Sequence, residues 1–201
     1  GTISSPEQAD QRVREQVAEG WDYLKVLPGL TRDEYDAMAM AANEEGIPFI
    51  GHVPFEVGLL HAIEMGQETI DHLDGYIEYL RGGGDTIDPE RLETAIAMTK
   101  EHGVWLIPTM ALWETILGVP SRADMADYEE LQYMPPNMVA SWGQSQDRRR
   151  AGSGFSQERQ DLIAAQRIDL LRALNEADAH ILMGTDSPQV FSVPGFSHLR
   201  E

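Results

Sequence analysis

The chain holds 201 residues, enough for a domain with a sizeable core, and an apolar fraction of 42% argues against global disorder. Its 34 acidic and 15 basic side chains leave a net charge of −19, which counts against nucleic acid and anionic membrane surfaces as partners, because phosphate binding needs a basic footprint. No apolar run is long enough for membrane insertion, and the absence of cysteine excludes disulfides and thiolate ligands, so any metal is held by nitrogen and oxygen, which suits zinc, manganese or iron.

Ser5 caps the first expected helix, with Pro6 at its first position, and Gly20 ends it. The lead-in Gly1-Thr2-Ile3-Ser4 carries no signal peptide and reads as an internal start, so the natural protein is expected to begin upstream. An apolar strand, Tyr23-Leu24-Lys25-Val26, follows and contains one of only two lysines in the chain. Thr31 and Glu34 form a Thr-x-x-Glu capping box that opens a helix running to Gly46. The next strand, Ile47-Pro48-Phe49-Ile50-Gly51-His52, ends in a histidine. A third helix after Pro54 stops near Gly66, and the strand Thr69-Ile70-Asp71-His72 ends in another. Asp88-Pro89-Glu90 starts a fourth helix, closed by Gly103 before the strand Val104-Trp105-Leu106-Ile107-Pro108. Residues 110–155 break the rhythm, and their aromatics (Trp113, Tyr128, Tyr133, Trp142) favour a lid insertion. Within that stretch Arg148-Arg149-Arg150 reads as a solvated charge cluster. Ser156 caps a last long helix to about Ala177, followed by a strand ending at Asp186.

Short apolar strands alternating with amphipathic helices imply a parallel sheet covered by helices, either an open doubly wound sheet or part of an eight-stranded barrel. Gly82-Gly83-Gly84 lacks the lysine and the placement of a phosphate loop, so nucleotide binding is weakly supported. His61, His102 and His180 sit mid-helix, beside a helix end and at a strand start, where structural roles are the rule. His52 and His72 differ, because strand-end imidazoles followed by turns are well placed as metal ligands. A lysine buried in an apolar strand must be paired or chemically changed, for instance by carbon dioxide; the alternative for Lys25 is that it snorkels to solvent or pairs with Asp22 or Asp186. Asp186 could hold metal or a proton, or serve as a turn aspartate.

The stretches Asp22-Tyr23-Leu24-Lys25-Val26, Gly51-His52-Val53-Pro54, Ile70-Asp71-His72-Leu73-Asp74-Gly75-Tyr76 and Gly184-Thr185-Asp186-Ser187-Pro188, in this order, resemble the metal-dependent amidohydrolase superfamily. The resemblance is nearest to its imidazolonepropionase, prolidase-like dipeptidase and ochratoxin-type amidase branch. It implies an α/β fold, a partial TIM (β/α)8 barrel from strand 4 to the start of helix 8, formed by residues 1–201 as one domain. It implies that Lys25, carboxylated, bridges two Zn2+ ions, that His52 and His72 bind one of them, and that Asp186 ligates the other. The implied reaction is hydrolysis of an amide C–N bond in a small peptide-like or N-acyl substrate. Metal-bound hydroxide would be the nucleophile, Asp186 would shuttle the proton, and Tyr76 would reach the substrate.

The family's His-x-His pair is absent from this sequence, as are the first three strands, so the chain by itself is expected to be weakly active or inactive. Its open strand edges invite pairing, including with a second copy to form a homo-oligomer. Two rivals remain at this level. One is a hydrolase of lactones or organophosphates on the same scaffold, and the other a non-catalytic α/β domain with a structural metal or none.

Overall fold

The computed structural model describes residues 3–201; Gly1 and Thr2, the start of the expected lead-in, lie outside the described residues. These residues divide into two compact units. One runs through Ile107 and takes in Ala173–Leu182, and the other comprises Pro108–Arg172 and Met183–Glu201.

In the first unit the signals for helix starts act as read. Helix α1 (Pro6–Ala18) begins where the Ser5 hydroxyl accepts the Gln8 amide at 3.3 Å. Strand β1 (Leu24–Val26) follows, then α2 (Arg32–Glu45), whose capping box is complete. There the Thr31 hydroxyl accepts the Glu34 amide, and the Glu34 carboxylate accepts the Thr31 amide at 2.9 Å. After β2 (Phe49–Gly51) the next helix, α3 (Leu59–Glu64), starts well past Pro54, because residues 54–58 form a turn first. Strand β3 (Thr69–Asp71) leads into α4 (Tyr76–Arg81), a six-residue helix that the sequence patterning does not announce. Helix α5 (Pro89–Glu101), capped by Asp88, and β4 (Trp105–Ile107) complete the run to the unit boundary.

The second unit holds the stretch expected as a lid loop, and it is helical rather than irregular. It contains α6 (Met110–Leu117), α7 (Arg122–Ala126), a 3-10 turn (Glu129–Tyr133) and α8 (Pro136–Ala151). Met125, Leu131 and Trp142 pack with Phe191 and Val193 into a core of their own. Arg150 is not a solvated charge: its guanidinium donates to the carbonyls of Gly118 (2.7 Å) and Pro120 (3.2 Å) and to Gln157 (3.0 Å). Helix α9 (Gln157–Glu176), with Ser156 as its cap, runs from this unit into the first, where β5 (His180–Ile181) closes the element order. Among the described residues no helix is long and apolar enough to cross a membrane.

All five strands belong to one parallel sheet in the order β1-β2-β3-β4-β5. A doubly wound sheet reverses its order at a switch point, whereas consecutive strands of a barrel follow one another without reversal. The sequential order therefore decides between the two architectures that patterning left open, in favour of a partial (β/α) barrel.

Register shows how the sheet is faced. Leu24, Val26, Phe49, Ile70 and Leu106 are buried on the side of the helices, where each contributes about 1.5–3 kcal/mol. Lys25, Ile50, Thr69, Trp105 and His180 lie abreast on the other face and are exposed or half-buried. The His180 ring stacks on Trp105 at 4.4 Å, a structural role of the kind expected for it. His61 likewise pairs with Asp36, and His102 caps the end of α5.

Candidate metal centre

Strand alternation places Lys25, His52 and Asp71 on the same face of the sheet, near the C-terminal ends of β1, β2 and β3. A residue directly after Asp71 would normally point the opposite way. His72 does not, because it and Leu73 both adopt left-handed backbone angles, φ 61° and 53°. Each such non-glycine residue costs about 1–2 kcal/mol, and backbone strain of this kind clusters at ligand clamps. The His72 amide, donating to the Ile107 carbonyl at 2.7 Å, fixes the turn to the end of β4.

The result is a cluster in which one ligand atom each from His52, Asp71 and His72 lie within 4.8 Å of one another. The two imidazole rings sit 4.8 Å apart, tilted by 32°. Asp71 and His72 are buried and His52 is partly so. Asp74, one turn on, meets Nδ1 of His52 at 2.7 Å. A carboxylate on Nδ1 leaves Nε2 as the ring nitrogen available to a cation and orients the ring toward it. Two imidazoles and a carboxylate, converging and largely out of water, are a donor set that zinc, manganese or iron accepts. The residues present thus fit the divalent metal that the sequence resemblance implies.

Lys25 reaches out of its strand, as the snorkelling alternative has it. Its side chain is half exposed, and its Nζ pairs with Asp71 rather than with Asp22 or Asp186. Asp186 belongs to the second unit, in the segment after β5, with φ 51° and a hydrogen bond accepted from Gln189. Within the first unit, then, the structure brings His52, His72 and Lys25 together and adds two residues that sequence reasoning quoted but did not assign, Asp71 and Asp74. Period-two alternation argues against counting both Asp71 and His72, and the backbone turn that reconciles them leaves no mark in residue types.

Tyr76, expected to reach a substrate, is corrected by its surroundings. It is fully buried, and its hydroxyl lies 2.5 Å from Thr99 Oγ1, which itself donates to the Ala95 carbonyl at 2.7 Å. Burial pushes its phenol far above the usual range, against a smaller opposing effect of the Thr99 bond, so it stays protonated. It is a core residue joining α4 to α5. Tyr76→Phe is expected to lower stability by about 1 kcal/mol in urea unfolding. Turnover and metal content should not move; a loss of turnover at unchanged metal content would restore the substrate role.

The amidohydrolase family model matches residues 5–199. Among solved structures, bottromycin amidohydrolase is 26% identical over 98% of this chain and 44% of its own, with a TM-score of 0.69. A Xaa-Pro dipeptidase with bound methionine in its active site is 19% identical (93% of this chain, 39% of its own, TM-score 0.51). The A. niger ochratoxinase is 15% identical (92% and 35%, TM-score 0.53). The chain thus spans less than half the length of each of these structures, and the two below 25% identity share its fold. No curated protein sequence matches it. The family match extends from the cap of α1 almost to the last residue, across all five strands, and the chain belongs to the amidohydrolase family.

Proposed function

We propose that this chain forms part of a metal-dependent hydrolase that opens amide C–N bonds in small peptide-like or N-acyl substrates. The observation that carries the reading is the convergence of His52, Asp71 and His72 at adjacent strand ends. Family membership supports hydrolysis, and a neighbour named as a dipeptidase supports small amides as the substrate class. His52, His72 and Asp71 would hold the cation, which when bound supplies a Lewis acid for the carbonyl oxygen and an acidified water.

The chain's own groups set the rest. Asp74 keeps the His52 ring in one tautomer and orientation. The Lys25 ammonium pairs with the buried Asp71 carboxylate. Carboxylation of Lys25, in which its neutral amine adds carbon dioxide and releases a proton, would exchange that ion pair for two neighbouring anions. Such a pair of anions is tolerable only with cations between them, so modification and metal loading should go together. Asp186, after β5, is the group proposed to take the proton of the attacking water and return it to the leaving amine as the C–N bond breaks.

The test is chelation. The purified protein, loaded with zinc in bicarbonate, should hydrolyse members of a panel of dipeptides and N-acyl amino acids, at the low rate expected of this chain by itself. It should lose that activity in chelator while its circular dichroism is unchanged, and regain it with zinc. Unfolding in chelator with no activity to lose would make the metal structural. Indifference to chelator would sink the metal reading.

A further inference from the structure

Outside the cluster, one buried polar side chain is aimed at the backbone of a proposed ligand. Gln67, two residues before β3, is 1% exposed. Its Nε2 donates to the carbonyls of Gly51 (3.1 Å), His52 (3.2 Å) and Thr69 (2.9 Å), and its Oε1 accepts from the Tyr35 hydroxyl at 2.8 Å. The pairing of β1 and β3 with β2 stops at Gly51, and among the described residues no backbone bond to the His52 carbonyl is seen. The His52 amide donates to the Val26 carbonyl at 3.1 Å. Backbone nitrogen, backbone oxygen and ring of His52 are therefore fixed by three different partners: β1, Gln67 and Asp74. We propose that Gln67 is a positioning residue for the metal centre, standing in for the missing strand bond and setting where the His52 imidazole projects.

The inference rests on the metal reading above. Its chemistry is specific to an amide: Nε2 offers two N–H donors, one of them shared between two of the three carbonyls, while Oε1 accepts from the phenol. A methionine of similar shape would remove both donors and the acceptor, and a glutamate would turn an acceptor toward the carbonyls.

Zinc affinity separates positioning from mere packing. It is measured by competition with a chromophoric chelator on the wild type, Gln67→Met, Gln67→Glu and Tyr35→Phe, beside urea unfolding of each. Tyr35→Phe strips a hydroxyl from the same buried network without touching the His52 carbonyl. Both Gln67 variants should bind zinc about tenfold more weakly while Tyr35→Phe stays within about twofold, the size of effect typical of groups that orient a ligand. Gln67→Glu keeps the shape and the acceptor for Tyr35, so it is the variant read if Gln67→Met fails to fold. Wild-type affinity in the Gln67 variants, whatever their stability, overturns the proposal, and so does an equal loss in all three. A wild type that binds no zinc defeats the metal reading itself, a result distinct from either.

Discussion

Replacing His72 by alanine is expected to weaken zinc binding by more than about a hundredfold, beyond the range seen when an orienting partner is lost, because a donor to the cation goes with it. If the proposed chemistry holds, kcat/KM falls by at least as much, a loss of about 3 kcal/mol or more in transition-state stabilisation. His72 also carries backbone strain, so alanine alone would mix two effects. His72→Asn separates them. Asparagine accepts left-handed angles better than alanine, and it offers a poorer ligand than imidazole. It should be as defective in zinc binding and turnover as alanine, yet unfold at higher urea. Wild-type zinc content in either variant would remove His72 from the centre.

Gly51→Ala is the second large effect, and it is one of stability and placement together. Gly51 has φ 116°, a conformation side chains rarely adopt, and an added Cβ would stand 2.7 Å from the Val26 carbonyl and 2.9 Å from Cδ of Lys25. The backbone atom cannot give way without disturbing the pairing of β1 and β2, and the Lys25 side chain would have to shift as well. A cost of about 2–4 kcal/mol is expected, summing backbone strain and overpacking. Gly46→Ala is the control. Its φ of 70° and ψ of 26° are ordinary left-handed angles and nothing lies within 4 Å of the new Cβ, so it should cost about 1 kcal/mol from the backbone alone. Urea unfolding of the two variants checks this: equal midpoints would mean that the close approach of β1 has no energetic weight.

How far the molecule could be read from its residues depended on whether the cause was local. Ser5, Thr31, Asp88 and Ser156 announced helix starts because a side chain one to three residues away satisfies the free amides, and all four cap as read. His52 and His72 were legible because each closes an apolar run. The choice between open sheet and barrel was not, since it depends on which strands pair across dozens of residues. Asp71 was hidden for a related reason: its partnership with His72 needs a backbone turn that violates alternation, and its partnership with Lys25 is made across the sheet. Tyr76 misled because its place after the histidine motif suggested a rim, while α4, too short to show periodicity, turns it inward. The helical content of residues 110–155 escaped because α6 and α7 are short and the longer α8 lacks a clear apolar stripe.

The sequential strand order also bears on how the sheet assembles. Pairing Gly51 with Ile70 closes a short stretch of chain, with α3 inside it, whereas pairing Leu106 with Ile181 must close across the whole of the second unit's main segment. Loop closure grows by about 0.6 kcal/mol for each doubling in length, so the last pairing starts at a disadvantage of roughly 1 kcal/mol. The second unit's core joins Met125, Leu131 and Trp142, which precede β5, to Phe191 and Val193, which follow it, so β5 lies in the chain between the two stretches that core brings together. Strands β1 to β4 pair across shorter stretches of chain, and the β4–β5 pairing makes the longest closure in the sheet.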